Sequence, residues 1–316
     1  MKKSSRCLVC GAPLPAGVSG EYHDDCAKSI FGSVAAPMFD CDEGKLNELA
    51  RKLVLNRMSV PGVQAKLSVH LERRDGADRL TLVGMGGDWI LKLPAAQWPE
   101  LPESEHFCMM LARRCGIETE DFALIRLRSG ALAFLARRMD RTPRGPLHME
   151  DFCQILERLT EEKYRGSLER VGKALRAVSS APGLDALRLY RVALFCFLSG
   201  NSDMHLKNYS ILRSMDGTWR LAPAYDLVPV RILAPADPEE SALTINGKKA
   251  NLKKADFSRL ALSFGLSEAQ DRRTITQMCA SVRSVLDEVL AVSFLSVGFK
   301  ERFREMALSR LTVLDE

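Results

Sequence analysis

Gly200-Asn201-Ser202-Asp203-Met204-His205-Leu206-Lys207-Asn208-Tyr209-Ser210-Ile211-Leu212 is the most informative stretch of this chain. It follows an apolar helical segment, 184–199, and leads into a strand-like run, 209–212. Asp203 stands five positions before Asn208. A carboxylate at the first position can accept the proton of an attacking hydroxyl. An amide oxygen at the second can coordinate Mg2+ beside phosphates, and the two together are the arrangement of a phosphoryl-transfer loop. His205 and Lys207, between them, carry groups able to meet nucleotide phosphates. A polar loop with a helix-capping aspartate would have the same composition, so the surroundings must decide.

Downstream, Arg220-Leu221-Ala222-Pro223-Ala224-Tyr225-Asp226-Leu227 places another aspartate after another short strand. A hairpin of the two strands would set Asn208 beside Asp226, and hard oxygen donors of this kind suit Mg2+. Upstream, Val60-Pro61-Gly62-Val63-Gln64-Ala65-Lys66 is a turn leading into a strand. Its backbone N–H groups could cover phosphates. Trp89-Ile90-Leu91-Lys92-Leu93 puts one lysine inside an apolar strand. A buried ammonium needs an anion; phosphates and a helix carboxylate, Glu105 or Glu103, are the candidates. The alternative is an edge-strand lysine reaching out to water. In chain order, loop, lysine, helix glutamate, proton acceptor and metal aspartate follow kinase logic.

Hydrophobic periodicity predicts a mainly β segment from about 40 to 140. Strands are expected at 64–71, 79–83 and 89–93, the last two as a hairpin turning at Gly84, Gly86 and Gly87. A helix is expected over 103–115, with Gly116 as its C-cap, and a second hairpin from 122–127 and 131–137. Residues 142–146 read as a loop. Helices then dominate: 149–159, 168–178, 184–199, 257–264, 268–290 and 299–311. The fold class expected is α+β with two lobes.

The first residues form a separate small unit. Cys7-Leu8-Val9-Cys10 and His23-Asp24-Asp25-Cys26 each hold two soft ligands three positions apart, with Gly11 as a turn after the first pair. A Cys3His set suits a closed, tetrahedral, structural zinc site. The expected domains are a Cys3His zinc-knuckle-like unit at 1–40, a β-rich N-lobe at 41–140 and a helical C-lobe at 141–316.

Composition sets limits. The chain has 316 residues, 46% hydrophobic and 27% charged, with a net charge of +5. That excludes a disordered, collagen-like or fibrous chain, and so mild a charge does not by itself imply nucleic acid. Arg126, Arg128, Arg137, Arg138, Arg141 and Arg144 against Asp140 make one local basic stretch, read as a solvated face rather than a tRNA contact. No apolar run approaches the ~20 residues needed to span a bilayer, and no apolar region follows the basic N-terminus as a secretory signal requires. The nine cysteines are odd in number and scattered, which reads as reduced thiols in the cytosol. A cytoplasmic protein with no membrane partner is expected.

Several motifs in order resemble the HipA family of bacterial serine/threonine kinases, the toxins of type II toxin–antitoxin modules. They are Ser59-Val60-Pro61-Gly62-Val63-Gln64-Ala65-Lys66, Ile90-Leu91-Lys92-Leu93-Pro94, Arg138-Met139-Asp140-Arg141, His148-Met149-Glu150-Asp151, Lys163-Tyr164, the 201–208 loop and Leu221-Ala222-Pro223-Ala224-Tyr225-Asp226. The loop is particularly similar to that of short HipT-type members. The resemblance implies a two-lobed protein-kinase-like fold binding ATP. It makes Asp203 the catalytic base, Asn208 and Asp226 the Mg2+ ligands, and Lys92 the partner of the α- and β-phosphates. Residues 61–66 become the phosphate loop, and Arg137, Arg138 and Met139 a hinge meeting adenine through its backbone, with Asp140 beside it. Arg137 stands where other members carry an acid. His205, Lys207 and Tyr225 join the nucleotide-binding set.

Ser59 matches a serine that family members autophosphorylate. A phosphate there adds about −1.5 to −2 charge near ATP and Asp226, and is expected to lower activity. Arg57 replaces the second serine of some short members. The resemblance also implies a HipB-like helix-turn-helix antitoxin that makes any DNA contact, and an aminoacyl-tRNA synthetase as protein substrate. Full-length members carry an additional N-terminal subdomain; here a HipS-like separate protein or the Cys/His unit is expected in its place. The alternatives are a small-molecule kinase of the aminoglycoside or choline type, and a non-catalytic module holding an antitoxin or DNA.

Overall fold

A computed structural model describes residues 6–17, 20–34, 36–37, 39, 44, 46, 48, 64, 66–73, 78–83 and 86–316. These fall into two compact units. The first takes the described residues of Met1–Phe107 with Glu120–Arg138 and Leu290–Leu295; the second takes Cys108–Thr119, Met139–Val289 and Ser296–Glu316.

The first unit opens with the Cys/His segment, which runs into helix α1 (Asp24–Phe31). Five antiparallel strands follow: β1 (Lys66–Glu72), β2 (Arg79–Leu82), β3 (Trp89–Lys92), β4 (Phe122–Arg126) and β5 (Leu132–Arg137). Their order is β2-β1-β3-β5-β4. In β1, Leu67 and Val69 are buried while Lys66 and His70 are exposed, the alternation of a strand covered on one face. In β5 every residue from Leu132 to Ala136 is buried, so this strand is covered on both faces. Helix α2 (Leu101–Arg114) is buried from Leu101 to Ala112 save for Glu103, and ends at Gly116, whose φ of +73° suits glycine.

The expected 79–83/89–93 hairpin does not form. β1 lies between the two strands, pairing Val69 with both Leu82 and Trp89. The connection passes close to β1: the Gly87 N–H donates to Ser68 Oγ at 3.0 Å. A Cβ on Gly87 would stand 2.4 Å from the Val69 carbonyl oxygen. Crossing β1 delivers β3 to its other side.

In the second unit a three-stranded antiparallel sheet, ordered β10-β9-β8, joins β8 (Met149–Asp151), β9 (Ser210–Arg213) and β10 (Trp219–Leu221). The helix expected over 149–159 is thus a strand followed by a single turn, α3 (Phe152–Ile155). Glu150 pairs with Ile211, a partner the local sequence does not contain. Asp151 then caps α3 through the Gln154 N–H, and Glu157, at φ +53°, follows its end. Residues 142–146, expected as a loop, contribute to a two-stranded ribbon of β6 (Arg141–Thr142) and β7 (Gly145–Pro146). The remaining helices are α4 (Leu168–Val178), α5 (Pro182–Ser199), α6 (Val230–Leu233), α7 (Lys254–Ser263), α8 (Glu268–Val292) and α9 (Val297–Asp315). Within α5, residues from Val192 to Ser199 are buried all round, which makes it the central helix of this unit. Among the described residues no helix is long and apolar enough to cross a membrane.

Candidate active site

In the first unit Lys92 closes β3 and is only 3% exposed. Its ammonium pairs with Glu105 on α2, which is fully buried, and lies 5.3 Å from the centre of the Phe134 ring. Of the two glutamates open at the sequence level, Glu105 takes the lysine. Burial holds the Glu103 carboxyl above its ordinary range. Lys66 sits opposite Lys92 in the β1–β3 register and is exposed. Gln64 donates its side-chain amide to the Leu93 carbonyl at 2.8 Å. Ser59, Pro61, Gly62, Val63 and Ala65 lie outside the described residues, as does Arg57.

The hinge candidates use part of their backbone internally. The Arg137 N–H donates to the Asp121 carbonyl and the Arg138 N–H to the Asp88 carbonyl, each at 2.8 Å. The Arg137 guanidinium lies 5.9 Å from the centre of the Trp89 ring and 3.9 Å from Asp121. In the second unit, which begins its share of this segment at Met139, Asp140 pairs with Arg141 at 3.0 Å.

The second unit carries the 200–208 loop. Gly200, at φ +74°, ends α5, and a Cβ there would meet Met306 Sδ at 2.6 Å. Asn201 is buried and its Oδ1 accepts the Asp203 N–H at 3.1 Å. The Asp203 carbonyl accepts from the His205 N–H at 2.8 Å and from Asn208 Nδ2 at 3.1 Å. That last bond orients the Asn208 amide: with its nitrogen held by Asp203, its oxygen is the end left to act as a hard donor. The Asp203 carboxylate accepts from the Tyr164 hydroxyl at 2.6 Å.

The β9–β10 hairpin brings Asp226 to the same end as Asn208. Leu221 pairs with Ile211, and the Ala222 N–H then donates to the Ser210 carbonyl. The Tyr225 hydroxyl donates to the Lys207 carbonyl at 2.8 Å and shares a hydrogen bond with Ser210 Oγ at 2.6 Å. Asp226 itself sits at φ +58°, a conformation uncommon for a residue with a side chain and held where surroundings impose it. The Tyr164 phenol is pushed well above its ordinary pKa, first by burial and then by the charges of Asp203 and Asp226. Both carboxylates therefore act on one place.

The two basic residues inside the loop each have a partner within the second unit. Lys207 Nζ binds Asp151 Oδ2 at 2.6 Å. His205 is 5% exposed and packs edge-on against the Tyr164 ring at 5.0 Å. Tyr164, Asp151 and Asn201 are the site residues that sequence reading left without a role. Tyr164 lies 39 positions from Asp203 and no local pattern links them.

In the first unit, Cys7, Cys10, His23 and Cys26 place their ligand atoms within 4.8 Å of one another. Cys10 Sγ is 3.4 Å from His23 Nδ1, and Cys26 Sγ is 4.0 Å from it. Hydrogen bonding between the two thiols holds the Cys7 pKa below its ordinary value and pushes that of Cys10 up. Among the described residues this is the one grouping of His, Cys, Asp and Glu side chains close enough to share a metal.

Comparisons with known proteins agree with this architecture. Residues 58–286 match the family described as HipA-like C-terminal domain. Two kinase candidates of Sinorhizobium fredii are similar. Y4dM is 34% identical over 67% of this chain and 55% of its own length, and Y4mE is 33% identical over 74% and 57%. The chain thus spans little more than half the length of these relatives. Among solved structures, HipA of Shewanella oneidensis, in its complex with HipB and operator DNA, superposes with a TM-score of 0.68. It is 20% identical, over 96% of this chain and 77% of its own. The proinflammatory kinase CtkA of Helicobacter pylori gives a TM-score of 0.54 at 15% identity, over 79% of this chain and 94% of its own. These likenesses give the fold, α+β and kinase-like, and the family match over 58–286 establishes that the chain belongs to the HipA-like C-terminal domain family.

Proposed function

We propose that this protein is an ATP- and Mg2+-dependent protein serine/threonine kinase that acts as the toxin of a toxin–antitoxin module. The carrying observation is the joint placement of Asp203, Asn208 and Asp226 at one end of the β9–β10 hairpin, with the Asn208 amide turned by its bond to Asp203. Asp203 would accept the proton of the acceptor hydroxyl. Asn208 and Asp226 would hold Mg2+, which when bound neutralises phosphate charge. Lys92, kept in place by Glu105, would engage phosphate oxygens; a charged ammonium held in one orientation suits that task. Residues 61–66 would cover the phosphates, and Arg137, Arg138, Met139, Asp140 and Tyr225 would surround the nucleotide. His205 and Lys207 would join the nucleotide-binding set, Lys207 from its place beside Asp151.

The finer reading rests on family resemblance. It takes an aminoacyl-tRNA synthetase as substrate, a HipB-like antitoxin as partner and, for the N-terminal subdomain, a HipS-like protein or the Cys/His unit. Phosphate on Ser59 would repel ATP and Asp226 and lower activity. A structural zinc in the Cys/His cluster completes the cofactor set.

The test is incubation with γ-labelled ATP, Mg2+ and a cell lysate, with intact-mass analysis of the kinase itself. Wild-type protein should label a lysate protein and gain one phosphate on Ser59, whereas Asp203→Ala should do neither. Transfer to a small hydroxylated metabolite instead of a protein would favour a small-molecule kinase. ATP binding without transfer to any acceptor would favour a non-catalytic module.

A further inference from the structure

We propose that Cys7, Cys10, His23 and Cys26 hold one zinc ion, and that the knuckle it closes is a clamp that sets helix α2, and so Glu105, against Lys92. The first two steps stand on geometry within the first unit. Only the consequence for nucleotide binding rests on the kinase reading above.

The donor set and its shape fit zinc. With Zn–S near 2.3 Å and Zn–N near 2.0 Å, tetrahedral geometry places neighbouring donor atoms roughly 3.4–3.8 Å apart. The cluster is already close to this, its donor atoms all within 4.8 Å of one another. The His23 Nε2–H donates to the Pro13 carbonyl at 3.0 Å, which leaves Nδ1 and its lone pair facing the sulfurs. An outer hydrogen bond of this kind orients a metal-binding imidazole. The His23 N–H points to Cys7 Sγ at 3.4 Å. Thiolate and imidazole donors select zinc over the hard cations. Four protein ligands leave no position for a substrate, so the ion is structural.

The knuckle grips the parts that carry the buried ion pair. Val9, between Cys7 and Cys10, accepts a hydrogen bond at 2.9 Å from His106 Nε2. His106 is fully buried, edge-on to Phe122 and Phe294, and is the next residue after Glu105. The Leu8 carbonyl accepts from the Leu124 N–H, and the Tyr22 hydroxyl donates to the Leu124 carbonyl, both at 2.8 Å. The edge of β4 is thereby covered by the knuckle instead of being left open to another strand. Helix α1, which carries Cys26, sets Phe31 against Tyr22 and Trp89, with ring centres 5.4 and 5.6 Å apart. Trp89 opens the strand that Lys92 closes. Gly11, at φ +73°, lies so near Val292 that a Cβ would stand 2.3 Å from its carbonyl oxygen. An ion bonded to both ends of the Cys7–Cys10 turn and to α1 would lock these contacts as one piece.

The test uses the full chain in an Asp203→Ala background, so that catalysis plays no part in the first readouts. Protein purified without chelator should contain about one zinc per chain. Removing it should speed hydrogen exchange in 101–107 about tenfold or more, the scale of one buried hydrogen bond, while 182–199 in the second unit stays unchanged. Because cysteine variants can fail to fold, His106→Phe is the sharper probe: it keeps the buried ring and removes the donor to Val9. It should retain zinc, exchange faster in 101–107 and bind ATP about tenfold more weakly. Freshly purified protein with far less than one zinc per chain would overturn the metal site. Exchange in 101–107 that is indifferent both to zinc removal and to His106→Phe would overturn the clamp. If the zinc and exchange results hold but wild-type protein binds no ATP, the clamp stands and the kinase reading fails.

Discussion

The Tyr164 hydroxyl donates a 2.6 Å hydrogen bond to the Asp203 carboxylate, the bond a substrate hydroxyl would make to a catalytic base. Tyr164 is 41% exposed as a residue, and its ring packs edge-on against His205, so it is only partly covered. Burial and the charges of Asp203 and Asp226 keep it protonated; it remains a donor throughout the neutral range. In the proposed reaction the acceptor competes with this hydroxyl for the Asp203 carboxylate.

Tyr164→Phe should therefore raise kcat/KM for the protein acceptor by about two- to tenfold, the scale of a hydrogen bond to a charged group partly matched by water. The KM for ATP should stay unchanged. Steady-state kinetics with each substrate varied separately checks this. A fall in kcat with both KM values unchanged would instead make Tyr164 a positioning residue for Asp203.

Asp203→Ala should lower phosphoryl transfer by about 10²–10⁴-fold, the range for loss of a positioned general base. Asp226→Ala should do the same and also raise the Mg2+ concentration needed for ATP binding. Labelled-ATP transfer and ATP titration across Mg2+ concentrations separate the two effects. Transfer near wild-type in Asp226→Ala would remove this residue from the metal site.

Lys92→Met should destabilise the first unit by about 3–5 kcal/mol, because it leaves Glu105 charged and buried without its ammonium. Lys92→Met with Glu105→Leu should recover most of that loss, since an apolar pair of similar volume carries no desolvation cost. Urea denaturation of the single and double variants measures the difference.

Asp185 gives an acid-stability prediction. Burial pushes its carboxyl up, but hydrogen bonds from Arg220, Ser179 and the Leu221 N–H outweigh burial and hold the pKa below the ordinary carboxylate value. A lowered folded pKa means the contribution is complete above the unfolded value, about 3.9. It is lost as pH falls from there through the folded value. Asp185→Asn should cost roughly 3 kcal/mol at neutral pH and progressively less below about pH 4. Denaturant midpoints of both proteins across that range provide the check.

Local reading went furthest where the residues concerned are close along the chain. Asp203 and Asn208 are five residues apart and are joined by the hydrogen bond from Asn208 Nδ2 to the Asp203 carbonyl, so their local relation follows from a short piece of chain. Cys7, Cys10, His23 and Cys26 form two tight pairs, and a tight pair allows few arrangements of its ends. Apolar runs of helical length likewise announced α2 and α5, although both are buried on almost every side over much of their length. Strand pairing was less legible. The 149–151 segment became β8 through Ile211, some sixty residues on, and β1 separated β2 from β3 by a crossing that only Gly87 hints at.

By itself, then, the sequence determined the kinase-like order of motifs, the ligand spacings of both metal-binding candidates and the positions of the long helices. Each of these depends on neighbours along the chain. Only the tertiary structure decided that Lys92 takes Glu105 and not Glu103. It alone paired Lys207 with Asp151, set the Tyr164 hydroxyl on Asp203 and joined Val9 to His106. These are pairings of single polar groups across 13 to 97 positions of chain. A buried polar atom must find a partner, but which one it finds depends on how the apolar elements pack.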